Sequence, residues 1–215
     1  MICIAADAVL TNKAGNMKNT ANKKTVILVN LILVILEIIA LIHDIRSFGA
    51  GMFKWYTIDC NVLQLMVSGL ILYCCVKDRD ISGPVTVLHF ISAVGLTVTF
   101  LIAAFVLAPE GGIRYYFIDN VAPINHLIAP ALSVVSLLFL EKSEKQSPRI
   151  ILYPAAATLA YGIICLVLNA VGKLDGPYFF LEARVQPVNV IILWFGIIAV
   201  LCVFLAGLYY RIKWK

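Results

Sequence analysis

The chain has 215 residues, 62% of them hydrophobic and 13% charged, with a mean hydropathy of +0.96. A soluble domain carries about 25% charged residues, so the excess apolar surface must face lipid and a soluble fold is excluded. The net charge of +5 is scattered among short segments, which excludes a nucleic-acid surface.

Residues 1–22 are polar, with no apolar stretch of signal-peptide type, and are expected to form a disordered cytoplasmic tail. Within them Met17 opens Met-Lys-Asn-Thr, a plausible translation start. Residues 23–215 read as one all-α domain, a bundle of six transmembrane helices. A span needs roughly 20 apolar residues to cross about 30 Å of hydrocarbon. Six stretches qualify: Thr25 to Ile42, Tyr56 to Val76, Val85 to Leu107, Val121 to Leu140, Ile150 to Val171 and Val188 to Tyr210. The alternating ten-residue pattern of a membrane barrel is missing.

The connecting segments differ by side. Lys77-Asp78-Arg79-Asp80 leads to Gly83-Pro84, and Glu141 to Lys145 leads to Ser147-Pro148. Pro suits the first turn of a helix. The other three loops, Phe48 to Trp55, Pro109 to Phe117 and Gly172 to Glu182, are longer and rich in aromatics. Trp55, Tyr115, Tyr116, Tyr178 and Phe179 read as interfacial anchors. Of the 17 Lys and Arg, only Arg46, Lys54, Arg114, Lys173 and Arg184 fall on the aromatic side. The positive-inside rule then places both termini in the cytoplasm of a multi-pass cell-membrane protein.

The six cysteines, Cys3, Cys60, Cys74, Cys75, Cys165 and Cys202, form no C-x-x-C pair and read as small apolar residues. His43, His89 and His126 lack metal-ligand spacing, so neither metal nor cofactor is expected.

Polar residues inside spans are expensive and therefore informative. Thr57, Asn61, Gln64 and Ser68 share one face of the second span. His126 and Ser133 lie seven residues apart on the fourth, as do Asn30 and Glu37 on the first. Asn169 and Asn189 add to the fifth and sixth. Because Thr57 and His126 each lie near a helix start on the same side, a polar cluster is expected in the outer half of the bundle. His89 stands apart, toward the inner end of the third span. Each feature also has a structural reading. Thr57 can bond the carbonyl of Phe53 or Lys54, the polar stripe can be helix–helix glue, and Glu37 can pair with Arg114 or Lys173. Pro130 and Pro154 can kink their helices.

Three segments resemble motifs of the androgen-induced protein family: Phe53-Lys54-Trp55-Tyr56-Thr57-Ile58-Asp59-Cys60-Asn61, then Ile118-Asp119-Asn120-Val121-Ala122-Pro123-Ile124-Asn125-His126, and Gly176-Pro177-Tyr178-Phe179-Phe180-Leu181-Glu182. They occur in family order, and the short loops look like those of a bacterial relative. The resemblance implies an intramembrane hydrolase of lipid esters, fatty-acid esters of hydroxy fatty acids in animal members, with Thr57 as nucleophile and His126 as base. Asn61, one turn below Thr57, is then a candidate oxyanion donor. Asp119 and Glu37 are candidates to orient the imidazole. The expected partners are membrane lipids and a hydrophobic ester.

Three other functions fit the same sequence. Acyl transfer would use the same acyl-enzyme. A small transporter or proton-coupled carrier would use Glu37 and His126 as a relay, although no repeated halves are visible. A non-enzymatic lipid-binding or scaffold protein would use the polar face for packing alone.

Overall fold

The computed structural model describes residues 23–215; the tail expected over 1–22 lies outside them. Six principal helices follow one another: α1 (Lys23–Lys54), α2 (Tyr56–Val76), α3 (Gly83–Gly111), then, after a short α4 (Ile113–Phe117), α5 (Ile124–Leu140), α6 (Pro148–Ala170) and α7 (Val188–Trp214). No strand occurs among the described residues. Five of the six are 21 to 32 residues long, with local hydropathies of 1.6 to 2.9, long and apolar enough to cross a membrane. Large apolar side chains such as Ile35, Ile42, Ile192, Val200 and Phe204 cover the exterior. The chain is an all-α membrane protein.

The sixth principal helix, α5, is shorter than expected. Its long apolar stretch runs Ile124–Leu140, with Ala122 and Pro123 already helical and the Val121 carbonyl accepting from Asn125 N (3.0 Å), directly after a turn in which Asn120 takes a left-handed φ of 51°. Two of its segments, Ile124–Ile128 and Ser136–Leu140, are π-helical, as is Ala103–Leu107 in α3. Two of the three have a local cause. Pro109 and Pro130 follow Ala103–Leu107 and Ile124–Ile128 by two residues. A proline cannot donate to the carbonyl four residues back, and widening the preceding turn relieves the ladder there. Pro154 produces no such effect. It lies three residues into the α-helical part of α6, Leu152–Ala170, where a missing N–H costs little.

Packing centres on α3, half of whose apolar window is buried, against 22% for α7. It touches α2, α5, α6 and α7. Gly95 permits the close approach of α2: a Cβ there would lie 2.8 Å from Cys60 Sγ and 3.1 Å from Tyr56 Oη. Phe90, Val94, Val98, Leu137, Cys202 and Ala206 fill the centre. Helix α1 lies along α2 through buried Val26, Asn30, Leu33, Glu37, Ala40 and Asp44. Their alternating spacing of four and three residues is the seam of a left-handed helix pair.

The two ends of the bundle are built differently. At one, which we call the basic end, Lys23 pairs with Asp78, Tyr210 Oη donates to the Gln146 carbonyl (3.0 Å), and Lys213 Nζ donates to the Leu137 (2.6 Å) and Glu141 (3.2 Å) carbonyls. At the other, the aromatic end, Tyr161 Oη donates to the Lys54 carbonyl (2.5 Å) and Trp55 meets Tyr178 edge-on at 5.8 Å.

Candidate functional site

At the aromatic end a cavity of about 1280 Å³, its open mouth included, lies beneath the loops. Thr57 from the first turn of α2 and His126 from the π-helical start of α5 both line it, with His43, Asp44, Trp55, Tyr116, Asp119, Asn125 and Tyr178. Chain order brings the pair together: α2 and α5 both start at this end, and each residue lies within three positions of its helix start.

Thr57 is 9% exposed, and the Tyr178 hydroxyl interacts with its side chain. Burial pushes the Tyr178 phenol above its ordinary pKa, an effect partly offset by this contact, so Tyr178 keeps its proton and can donate. The His126 ring lies edge-on between Tyr116 (5.9 Å) and Phe117 (6.1 Å), and no protein group bonds its buried Nδ1. No direct hydrogen bond joins Thr57 and His126 among the described residues. The other expected site residues are engaged in different ways. Asn61 Nδ2 donates to two backbone carbonyls, those of Thr57 (2.9 Å) and Asn125 (3.3 Å), leaving its carbonyl oxygen unpaired. That arrangement offers an acceptor and no spare N–H. Asp119 lines the cavity but accepts from Arg114 Nε at 3.0 Å.

Glu37 makes no ion pair among the described residues, so the expected pairing with Arg114 or Lys173 is absent; Arg114 is taken by Asp119. Instead Glu37 shares a small pocket between α1 and α2 with Asp44 and Asn61, and its Oε1 is buried without a partner. Asp44, only 4% exposed, bonds His43 Nδ1 and Asn125 Nδ2, each at 3.3 Å. Sequence reasoning missed Asp44, although it continues the seven-residue spacing of Asn30 and Glu37. It also missed Trp55 as more than an anchor: its indole N–H is buried and has no acceptor.

A second polar cluster lies toward the basic end, so polarity is not confined to the expected outer half. Helical rise explains the difference. Eleven residues at about 1.5 Å each carry Ser68 roughly 16 Å below Thr57, to the depth of His89 on the antiparallel α3. Here His89 Nδ1 bonds Glu141 Oε2 (2.9 Å) and its Nε2 meets Ser133 Oγ (3.3 Å). Ser133 and Ser92 both donate to Gln64 Oε1 at 2.7 Å, and Gln64 Nε2 donates to Ser68 Oγ (2.9 Å). Ser136 donates to Glu141 Oε1 (2.6 Å) and accepts from Asn30 Nδ2 (3.0 Å). The order Glu141–His89–Ser133 has the sequence of an acid–base–nucleophile triad, but its protons run the wrong way. Ser133 gives its only proton to Gln64, so its oxygen accepts from His89 Nε2. Ser133, His89 and Gln64 are all fully buried. The cluster therefore fastens α1, α2, α3 and α5 together.

Glu141 itself follows the last residue of α5. Burial alone would raise its carboxyl, but the charge and hydrogen bond of His89, with Ser136 and Lys213, hold it below its ordinary value of 4.5.

Comparison of the chain with family models, curated proteins and solved structures returns no match.

Proposed function

We propose that the protein is an intramembrane hydrolase of lipid esters, with Thr57 as nucleophile and His126 as general base. One observation carries this reading: two residues 69 positions apart line a single cavity at one end of the bundle, and the imidazole among them has a buried nitrogen with no other task. The three-part resemblance to the androgen-induced family names the same two residues. In this reading the aromatic end faces the outer side of the cell membrane and both termini lie in the cytoplasm.

The chemistry follows from the groups present. A threonine hydroxyl needs a base to become a nucleophile. Neutral His126 takes the Thr57 proton as Oγ1 attacks the ester carbonyl. The carbon–oxygen bond to the alcohol breaks, and His126 protonates the departing alkoxide. Water then attacks the acyl-threonine while His126 accepts its proton. His126 returns that proton to Thr57 Oγ1, and a fatty acid leaves. The developing oxyanion needs donors. Asn61 has none to spare, whereas the indole N–H of Trp55 and the hydroxyl of Tyr178 belong to residues of the same cavity. Asp44 lines the same cavity and is bonded to His43 and Asn125.

The test is release of fatty acid from a panel of lipid esters by the purified protein in lipid nanodiscs. His126→Ala is expected to lower kcat by about 10²- to 10⁴-fold, the usual contribution of a general base, and Thr57→Ala to abolish turnover. Equal release by wild type and both variants would sink the assignment.

A further inference from the structure

A second, apolar cavity lies deeper in the bundle, lined by α2, α3, α6, α7 and the loop before α7, with about 540 Å³ of space, its opening included. Thr57, Leu107 and Tyr178 line both this space and the wider cavity under the loops. Thr57 thus stands where a polar, open chamber meets an apolar one. Tyr178 is the partition: its ring stacks on Phe180 of the inner cavity at 5.3 Å and touches Trp55 of the outer one edge-on.

The inner wall is apolar, formed by side chains such as Val98, Ile102, Leu159 and Phe195. Its hydroxyls are already committed. Tyr56 Oη meets Thr158 Oγ1 at 2.6 Å, Thr158 donates to the Pro154 carbonyl (2.8 Å), Thr99 to the Leu96 carbonyl (2.8 Å), and Tyr161 to the Lys54 carbonyl (2.5 Å). A headgroup buried there would lose its water without gaining partners, at a cost of a few kcal/mol per polar group. A hydrocarbon chain loses nothing and gains for each methylene it buries. At Gly162 of α6 an added Cβ would come within 3.0 Å of the Phe195 ring, so glycine there keeps that ring back from the space.

We propose that this inner cavity binds one linear acyl chain, inserted past Thr57 with its carbonyl at the junction, and that Gly162 and Phe195 set the length it accepts. The position of the carbonyl rests on the hydrolase reading above; occupation by a chain does not. The acid or acyl half of the substrate lies inside, and the alcohol half occupies the chamber around His126. Selectivity for the two halves is therefore separable.

The experiment uses the full chain in nanodiscs with two photoreactive probes, a free fatty acid and a phosphatidylcholine, each with a diazirine near the chain end. Adducts are mapped by mass spectrometry. Adducts are expected at inward residues of α3, α6 and α7 such as Ile102, Leu159 and Phe195, and unlabelled fatty acid should compete them away. Whichever probe gives these adducts identifies the source of the chain, free acid or membrane lipid. Gly162→Leu should cut the yield about tenfold or more, the equivalent of roughly two methylenes left unburied. Phe195→Ala should let a longer-chain probe label the same residues, which keeps the test decisive if Gly162→Leu fails to fold. Adducts confined to the lipid-facing residues Ile192, Val200 and Phe204, without competition, would overturn the proposal even if esters are cleaved. Competed inner labelling without any ester cleavage would uphold the chain site and sink the hydrolase.

Discussion

Glu37 buries a carboxylate oxygen with no partner, whereas Glu141 spends both its oxygens on bonds. The two should respond oppositely to neutralisation. Glu37→Gln removes an uncompensated acid from a buried helix seam that it shares with Asp44 and is expected to leave the melting temperature unchanged or raised. Glu141→Gln breaks a buried pair and strands His89, a loss of about 3–5 kcal/mol for such an arrangement. Thermal unfolding in detergent, followed by fluorescence, measures both. The same contrast sets a pH dependence. Because the folded-state pKa of Glu141 is depressed, its stabilisation is present above the unfolded value of 4.5 and is lost as pH falls through the lower folded value. Wild-type melting temperature should therefore drop below about pH 4.5, and that drop should shrink in Glu141→Gln. The sequence marks Glu37 as costly because it sits inside a span. Glu141 is harder to recognise, since it opens a run of charges that reads as a solvated loop; only its position directly after Leu140 betrays it. Trp55 is hidden for a related reason: an aromatic at a span end reads as an anchor, whatever its N–H lacks.

At the scale of the helix, two local devices position the site. One is the close contact of α2 and α3 at Gly95. Gly95→Ala would press a Cβ against Cys60 Sγ at 2.8 Å, an overpacking expected to cost about 1–3 kcal/mol. Adding Cys60→Ala removes that sulfur and should recover part of the loss, a coupling that a double-mutant cycle on melting temperature would expose. The other device is the π turn ahead of Pro130. It alters the orientation of His126 relative to the rest of α5. Pro130→Ala restores the missing N–H and should favour an ordinary α turn, rotating His126 away from its present setting. Fatty-acid release should fall while the melting temperature holds or rises. Helix existence was legible from the apolar runs, because a span of about 20 residues has few alternatives in lipid. The π turns were not, because a proline inside a span signals strain without saying how the backbone relieves it. The start of α5 followed the same rule: apolar character alone would let the span extend further back, but the left-handed turn at Asn120 decides where the helix begins.

Across the whole molecule, the closed polar cluster and the open chamber divide the work. Around His89 the hydrogen bonds join four helices, and one buried atom of that cluster, Asn30 Oδ1, lacks a partner. Around Thr57 and His126 several polar atoms remain unpaired, among them His126 Nδ1, Trp55 Nε1, Asn61 Oδ1 and Asn125 Oδ1. Unsatisfied groups cost stability, and natural folds tolerate them chiefly where something else must bind. Sequence spacing located the second of these regions and missed the first. The polar stripe on α2 runs through half the membrane and belongs to both, with Thr57 and Asn61 in one and Gln64 and Ser68 in the other. Both regions contain a histidine and a hydroxyl residue, so one chemical probe can separate them. Purified wild-type protein is treated with a lipophilic fluorophosphonate, which reacts with activated hydroxyls, and the adduct is mapped by mass spectrometry. The expected result is one adduct on Thr57, absent in Thr57→Ala and strongly reduced in His126→Ala. An adduct on Ser133, or labelling that persists unchanged in Thr57→Ala, would contradict the assignment of the chemistry to the aromatic end.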